Sequence, residues 1–336
     1  SGTTGNPKGA LLTHRNLLSN VNSILKVFPV DSSDVFSCIL PLFHAFSAMA
    51  SFLCPFAIGA SIVVSDRFTP RKCLQMIQDH RITIFIGVPA MYAVLTQIKN
   101  PSEFDLTSWR FCASGGAPLS PELLTMFEKM YPVKIYEGDG PTECSPVTSV
   151  NPIGGKRKIG SIGLPLPDVE MKIFDENDNE LPPDNVGEIV VRGSNVMKGY
   201  LNQPEATIES LRNGWFHTGD IGKMDEEGYF YILDRKKDMI IVGGLNVYSQ
   251  EVEKVLTSHP KVSEAAVMSK PDRLRGEMPV AFVSPVEGEK INLDELNSFC
   301  REHLAPYKVP RHIKICESFP KTATGKVMKW KLKDNL

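Results

Sequence analysis

The chain lacks the features that mark disulfide-stapled, zinc-binding or membrane-spanning proteins. Its seven cysteines are an odd number, lie scattered from Cys38 to Cys316 and include no CxxC pair. We therefore expect free, buried thiols in a reducing compartment, the cytoplasm, rather than disulfides or a zinc site. The longest apolar stretch, residues 43–60, is interrupted by a histidine, a proline and a glycine. This pattern is typical of a buried core and is a poor bilayer span.

Neither sign of charge predominates. Lysine and arginine number 37 against 39 aspartates and glutamates, and no basic run occurs. A nucleic-acid-binding face is therefore not expected. No internal repeat or low-complexity segment is present, and 336 residues are enough for more than one domain with a sizeable core.

The first half of the chain alternates short apolar runs with amphipathic stretches. This alternation predicts an α/β fold with a mostly parallel sheet and helices on both faces. The predicted strands are 61–64, 82–88, 110–113 and 133–136, and the predicted helices are 71–79, 89–98 and 121–130.

The pattern changes near residue 170. Short strands at 170–174, 187–192 and 229–233, with turn residues between the first two, predict a small β-rich subdomain. The charged stretch 234–238 is the best domain boundary, and residues 249–316 beyond it predict a compact α+β unit. We therefore expect one domain over residues 1–233 and a second over 234–336.

The opening stretch, residues 1–9 (SGTTGNPKG), has the composition of an anion-binding loop. Apolar residues at helical spacing follow it from Leu11 to Phe28. A flexible loop that enters a helix suits a phosphate because backbone N–H groups are free there and the helix dipole is positive. The position of Lys8 does not fit the GxxxxGK[ST] pattern of P-loop proteins.

Four further motifs follow in order: residues 136–143 (YEGDGPTE), 215–220 (WFHTGD), 234–246 (DRKKDMIIVGGLN) and 319–326 (FPKTATGK). Together with the opening loop they resemble the adenylate-forming superfamily, which comprises acyl-CoA synthetases, luciferases and the adenylation domains of peptide synthetases. Residues 41–44 (PLFH) and 114–118 (SGGAP) are most similar to fatty acyl-CoA synthetases. The resemblance implies that residues 234–336 form a mobile lid. It also implies that the chain is cut at its own phosphate loop, so we expect poor activity from the isolated polypeptide.

The resemblance implies a role for each motif in joining a carboxylate to AMP. In this chemistry the carboxylate attacks the α-phosphate of ATP, and catalysis consists mostly of positioning and electrostatic stabilisation. The opening loop would hold the phosphates, with Lys8 toward the β- and γ-phosphates. Thr142 would contact phosphate, and Glu143 would hold Mg²⁺, which prefers oxygen ligands. The nucleotide-binding residues of the opening loop are Ser1, Gly2, Thr3, Thr4 and Gly5.

The remaining motifs supply the ribose, acyl and thiol contacts. By resemblance Asp220 and Arg235 contact the ribose hydroxyls, and Lys326 bridges the carboxylate and the α-phosphate. Lys237 is the hinge of the lid. The adenine and acyl pocket wall is assigned to Gly115, Gly116, Ala117 and Gly138; the acyl and CoA channel is assigned to His44, Gly243 and Gly244. Each of three residues also has a common structural alternative: a core histidine for His44, a tight turn for Gly243 and a surface ion pair for Arg235.

Two positions depart from the family pattern. Asp139 stands where the family usually has an aromatic residue that stacks on adenine, and aspartate cannot stack. We therefore predict weaker or differently made adenine recognition. Asp234 stands where glycine usually precedes the arginine.

These motifs favour an ATP-dependent ligase that activates a medium- to long-chain fatty acid as acyl-AMP and transfers it to CoA, with ATP, Mg²⁺ and CoA as cofactor and cosubstrates. An adenylation domain that loads a carrier protein and a non-catalytic nucleotide-binding remnant are the alternatives. The expected partners are small molecules and not nucleic acid. Peripheral membrane contact and a homodimer are left open.

Overall fold

The computed structural model describes residues 8–322 and 327–335. Contacts divide these residues into two compact units. The first comprises Lys8–Thr218 and Lys223–Tyr231, and the second comprises Gly219–Gly222 and the described residues from Ile232 onward. The domain boundary between residues 233 and 234 stays a prediction.

The helices have these bounds: α1 His14–Leu25, α2 Ala45–Ser47, α3 Cys54–Ala57, α4 Pro70–His80, α5 Pro89–Leu95, α6 Pro121–Met130, α7 Pro204–Ser210, α8 Ser249–Thr257 and α9 Leu293–His303. A π-helix, Ala48–Leu53, joins α2 to α3. Short 3₁₀ helices are Pro101–Glu103, Thr142–Cys144 and Lys329–Asn335.

The strands have these bounds: β1 Val35–Cys38, β2 Ser61–Val64, β3 Ile84–Gly87, β4 Phe111–Ser114, β5 Lys134–Asp139, β6 Ser149–Val150, β7 Leu164–Pro165, β8 Val169–Phe174, β9 Gly187–Gly193, β10 Leu211–Arg212, β11 Trp215–Met224, β12 Phe230–Arg235, β13 Ile240–Val242, β14 Leu245–Val247, β15 Val262–Asp272, β16 Gly276–Pro285 and β17 His312–Ile315.

The first unit is organised around a seven-stranded sheet with the order β2-β1-β3-β4-β5-β6-β7. Strands β1 to β5 pair in parallel, whereas β6 and β7 are antiparallel additions. β3 and β4 are buried along their whole length, as expected for central parallel strands covered on both faces. The predicted α/β class with a mostly parallel sheet is confirmed.

Helix ends in this unit follow local sequence signals. Pro121 occupies the first turn of α6, and the hydroxyl of Ser120 accepts the Leu123 N–H at 3.1 Å. Glu122 in the first turn and Lys129 in the last complement the helix dipole. These signals explain why the predicted helix 121–130 and the observed helix share the same bounds.

Smaller antiparallel sheets follow. One has the order β10-β11-β9-β8, with β12 paired to β11, and the β8–β9 pair is a hairpin. The other has the order β14-β13-β16-β15, with β17 parallel to β16. Helices α8 and α9 contribute Val252, Leu256, Leu296 and Cys300 to the core of the second unit.

The apolar stretch 43–60 is not wholly a buried core, so that prediction is wrong in part. Met49 and Cys54 are buried, but Phe43 is 81% exposed and Phe56 is 72% exposed. The reason is that the stretch forms consecutive short helices, which bury one face and leave the other outside. Among the described residues no helix is both long and apolar enough to cross a bilayer.

The cysteines are free, as predicted. Six of the seven are buried and Cys316 is half-buried. Burial raises the pKa of the Cys54 and Cys73 thiols to about 12. These thiols are therefore neutral core side chains at physiological pH.

Phe127 is the centre of an aromatic cluster that supports the parallel sheet. Its side chain is fully buried, and its ring lies 5.2 Å from Tyr92, 5.9 Å from Trp109 and 4.7 Å from Tyr131, centroid to centroid. We predict that Phe127→Ala lowers the free energy of unfolding by about 3–5 kcal/mol, because a large cavity replaces the ring. Urea unfolding followed by tryptophan fluorescence measures this loss.

The control is Met126→Ala in the same helix, because Met126 is 53% exposed. This variant should change the free energy of unfolding by no more than about 0.5 kcal/mol. Equal losses in the two variants would contradict the role assigned to the cluster.

Candidate functional site

Loops that follow parallel strands meet at one edge of the first unit. β1 leads to the segment that contains His44, β4 leads to Gly115, and β5 leads to Thr142 and Glu143. Because parallel strands have their carboxyl ends at the same edge, these three segments lie side by side. Their arrangement therefore follows from strand order, not from distance along the chain.

A cavity opens at this edge. Six residues predicted from separate motifs line it: His44, Gly115, Gly116, Gly138, Asp139 and Thr142. The rest of its wall is mostly apolar and includes Ile24, Leu25, Phe28, Val30, Phe36 and Ile86. A largely apolar pocket with a few polar groups is the usual form of a small-molecule site.

Some predicted wall residues are not part of this cavity. Ala117 is half-buried but does not line it. Val88 and Met91 are buried core residues and do not line it either. Apolar residues that follow His44 do line it, namely Ala45, Phe46, Ala50 and Cys54, and α1 and β1 supply further apolar wall that the sequence motifs did not indicate.

His44 lies at the cavity and caps a short helix. Its side chain lines the cavity, and its Nδ1 accepts the Phe46 N–H at 3.3 Å and so caps α2. The ring is half-buried. A contact to ligand through this residue stays a prediction.

The Thr142–Cys144 turn holds the predicted metal carboxylate in a buried position. Glu143 is 5% exposed, and the Tyr200 hydroxyl donates a hydrogen bond to its Oε1 at 2.7 Å. The Met197 N–H donates to the Glu143 backbone carbonyl at 2.7 Å. Burial and the Glu143 carboxylate raise the pKa of Tyr200, so its hydroxyl keeps the proton that it donates.

Lys8 lies next to the same tyrosine. Its Nζ is 5.0 Å from the centroid of the Tyr200 ring. We had expected the chain to enter a helix directly after Lys8, and it does not. Ala10 forms an antiparallel bridge with Tyr200, and α1 begins only at His14, where Thr13 and Asn16 form a capping box. Ser1, Gly2, Thr3, Thr4 and Gly5 lie outside the described residues.

The arrangement fits a magnesium ion that is held mainly by nucleotide phosphates. Among residues 8–322 and 327–335, no three histidine, cysteine or acidic side chains gather as a metal-binding group. Glu143 is a buried carboxylate in the Thr142–Cys144 turn and is not among the residues that line the cavity. Mg²⁺ is commonly bound by one or two carboxylates with phosphates and water supplying the remaining ligands.

Glu137 is a second buried carboxyl group, on the strand that leads to the site. Its Oε1 accepts the Leu119 N–H at 2.9 Å, which fixes the end of the loop that contains Gly115 and Gly116. Its Oε2 is buried and has no hydrogen-bond partner. Burial raises the pKa of Glu137 to about 7.

In the second unit, Asp220 and Arg235 are brought together. Arg235 Nε lies 2.8 Å from Asp220 Oδ1, and the aspartate is 7% exposed. The two residues come from β11 and β12, which pair with each other. They were predicted from separate motifs as one ribose clamp, and that role stays a prediction.

Gly243 and Gly244 form the two-residue turn of the β13–β14 hairpin. Their φ angles are +58° and +85°, a pair of left-handed values typical of a type I′ turn. The tight-turn alternative therefore applies to both, and their predicted CoA role rests on the resemblance. Lys237 is exposed in the turn between β12 and β13, where its hinge role also stays a prediction. Lys326 lies outside the described residues.

Asp234 has a structural account that the sequence did not provide. It is 1% exposed, and its Oδ1 accepts the Arg235 N–H at 2.8 Å and the Ser249 hydroxyl at 3.0 Å. Its Oδ2 accepts the Ser249 N–H. Asp234 thus supplies hydrogen-bond acceptors at the start of α8, where backbone donors lack partners within the helix.

Tyr200 is the site residue that sequence reasoning missed. It lies 57 residues beyond Glu143 and follows an ordinary glycine. No local periodicity or charge pattern distinguishes it from the other tyrosines. Only the pairing of residues 9–11 with residues 198–201 reveals its position.

Comparison with known proteins agrees with this geometry. The family model for AMP-binding enzymes matches residues 1–201, and the model for the AMP-binding enzyme C-terminal domain matches residues 251–326. The chain therefore belongs to the AMP-binding enzyme family. It is 43% identical over 334 residues to a long-chain-fatty-acid–CoA ligase of Bacillus subtilis (strain 168), which covers 98% of this chain and 60% of that protein.

Other relatives are named for different substrates. A feruloyl-CoA synthase of an Amycolatopsis species is 39% identical over 331 residues, covering 98% of this chain and 67% of that protein. The crystallised o-succinylbenzoate coenzyme A synthetase (MenE) of Bacillus subtilis, in complex with ATP and a magnesium ion, superimposes with a TM-score of 0.89 at 35% identity. That match covers 99% of this chain and 68% of the MenE chain.

We predict a pH-dependent stability difference between the wild type and Glu137→Gln. The ordinary pKa of 4.5 rises to about 7 in the fold, so burial favours the protonated carboxyl. The stability that the protonated Glu137 carboxyl contributes is fully present below pH 4.5 and is lost as pH rises through 7. The amide mimics the protonated form and keeps an oxygen for Leu119. The variant should therefore gain about 3 kcal/mol of unfolding free energy relative to the wild type between pH 4.5 and pH 8.

Urea unfolding of both proteins at several pH values in this window measures the difference. A difference that does not change with pH would show that Glu137 is not protonated in the fold.

Proposed function

We propose that the protein containing this chain is an ATP-dependent acyl-CoA synthetase. It would activate a medium- to long-chain carboxylic acid as acyl-AMP and transfer the acyl group to CoA. The observation that carries the proposal is the cavity that Gly138, Asp139 and Thr142 line together with apolar side chains of α1 and β1. Such a cavity could take a nucleotide at its polar side and an apolar acyl group along the rest.

Each proposed step uses a residue for charge or position. Lys8 would neutralise the β- and γ-phosphates, and the hydroxyl of Thr142 would donate to a phosphate oxygen. Glu143 would hold the magnesium ion, which when bound neutralises charge that develops on the phosphates. Attack by the carboxylate oxygen on the α-phosphorus forms acyl-AMP and releases pyrophosphate. CoA sulfur then attacks the acyl carbon and AMP leaves.

Residues 234–336 would act as a lid in this sequence. We propose a domain boundary between residues 233 and 234, with Lys237 as the hinge. Lys326 would bridge the carboxylate and the α-phosphate during the first step, and Gly243 and Gly244 would line the CoA channel during the second. Asp220 and Arg235 would contact the ribose, and their ion pair supports this shared role.

The apolar wall supports an aliphatic acid. Phe28, Ile24 and Phe36 line the cavity with apolar surface, which would favour a hydrocarbon chain. Similarity to a feruloyl-CoA synthase makes an aryl acid the competing substrate class. A panel of acids separates the two.

We predict acid-dependent pyrophosphate release by the full-length gene product with ATP and Mg²⁺. Octanoate and palmitate should be better substrates than acetate, benzoate or ferulate, and turnover should require CoA. Lys326→Ala should lower the rate of the first step by about 100-fold or more, because a preorganised cation at the reacting phosphate is lost. Lys321→Ala is the control, because Lys321 pairs at the surface with Glu264.

Each other outcome identifies a different function. Release that needs a carrier protein instead of CoA would indicate a carrier-loading adenylation domain. ATP binding without release for any acid would indicate a nucleotide-binding remnant. Full activity of Lys326→Ala would contradict the assignment of that residue.

We predict that Asp139→Tyr lowers the KM for ATP, because an aromatic ring can stack on adenine and a carboxylate cannot. Asp139 lines the cavity at the end of β5. A gain of about fivefold is expected from one added aromatic contact of roughly 1 kcal/mol. Asp139→Asn is the control for loss of charge without gain of a ring; an unchanged KM in Asp139→Tyr would contradict the prediction.

A further inference from the structure

One tyrosine contacts both charged groups proposed to hold the magnesium-bound triphosphate. The Tyr200 hydroxyl donates to Glu143 Oε1 at 2.7 Å, and Lys8 Nζ lies 5.0 Å from the centroid of its ring. The contacts use different parts of the side chain. The hydroxyl meets the anion, and the negative face of the ring meets the cation.

The backbone around Tyr200 is held on both sides. The Leu201 N–H donates to the Gly9 carbonyl at 2.8 Å, and the Leu11 N–H donates to the Gly199 carbonyl at 2.8 Å. On the other side, the Met197 N–H donates to the Glu143 carbonyl at 2.7 Å. The segment 197–201 therefore joins the residues after Lys8 to the turn that carries Glu143.

The backbone N–H of Tyr200 itself is also hydrogen-bonded. Its N–H donates to the Thr207 hydroxyl at 2.8 Å, and that hydroxyl donates to the Gln203 carbonyl at 2.8 Å. The start of α7 thus holds the tyrosine in place. A buried acceptor without a hydrogen-bond partner is costly, so a buried carboxylate is more stable in the orientation in which it meets a donor. A donor that is held in place therefore favours one orientation of the carboxylate.

We infer that Tyr200 is a positioning residue that orients the Glu143 carboxylate for magnesium and holds Lys8 beside it. The inference rests on the proposed function, since it assumes that Glu143 and Lys8 receive magnesium and ATP phosphates. The hydroxyl occupies Oε1 and thereby fixes the direction in which the carboxylate presents its other oxygen. Hydrogen-bond partners of metal ligands commonly contribute 10–100-fold to metal affinity.

Two substitutions separate the two contacts. Tyr200→Phe removes the hydroxyl and keeps the ring, whereas Tyr200→Leu removes both. Tyr231→Phe is the matched control, because the Tyr231 hydroxyl also donates to a carboxylate, Asp225 Oδ2, at 3.0 Å. Asp225 is held by Lys158 and is not among the proposed site residues.

The measurement is ATP affinity by titration calorimetry of the full-length gene product, once with Mg²⁺ and once with EDTA. The ratio of the two affinities reports how strongly the protein couples magnesium to the nucleotide. In Tyr200→Phe this ratio should fall about tenfold, while the affinity for metal-free ATP stays within about twofold. In Tyr200→Leu the affinity for metal-free ATP should fall as well, because Lys8 loses its ring contact. Tyr231→Phe should match the wild type.

The outcomes separate this inference from the function on which it rests. If the wild type binds ATP more tightly with Mg²⁺ and Tyr200→Phe keeps the full ratio, the inference is wrong and the proposed function stands. Equal losses with Mg²⁺ and with EDTA in Tyr200→Phe would also overturn it, since they indicate a merely structural role. If Mg²⁺ does not increase the ATP affinity of the wild type, both the inference and the proposed function fail.

Discussion

Parallel pairing of the strands β1, β3, β4 and β5 is the constraint on which the site depends. It places the carboxyl ends of these strands at one edge of the sheet, so loops from distant parts of the sequence become neighbours. His44, Gly115 and Thr142 line one cavity for this reason. A shift in strand order would separate the three loops even if every motif were kept.

The parallel sheet and its helices were largely predictable because local signals agree with the fold. The strand at 61–64 and the helix at 121–130 have the predicted bounds, since apolar runs and caps are explicit in the sequence there. β1 was missed although the turn 31–34 precedes it, because Val35–Cys38 is a run of only four residues that includes a serine and a cysteine. The exposure of Phe43 and Phe56 was missed because an apolar run alone does not say which side is covered.

Some residues of the site could be predicted from the sequence and others could not. Residue types with evident chemistry, such as Lys8, Glu143 and Asp220, could be singled out from motifs. Tyr200 could not, because its role depends on a pairing between residues about 190 positions apart, which no local pattern encodes. Asp234 looked like an unexplained departure until its contacts with Ser249 showed that it completes the start of a helix.

The central claim is that a carboxylate oxygen of the substrate attacks the α-phosphorus of ATP. Transfer of oxygen isotope tests it most directly: the full-length gene product is supplied with palmitate labelled with ¹⁸O in its carboxylate, ATP, Mg²⁺ and CoA, and the AMP formed is analysed by mass spectrometry. The account predicts one ¹⁸O atom in the phosphate of each AMP, because the bridging oxygen of acyl-AMP leaves with the nucleotide. Unlabelled AMP, or ADP as the nucleotide product, would contradict it.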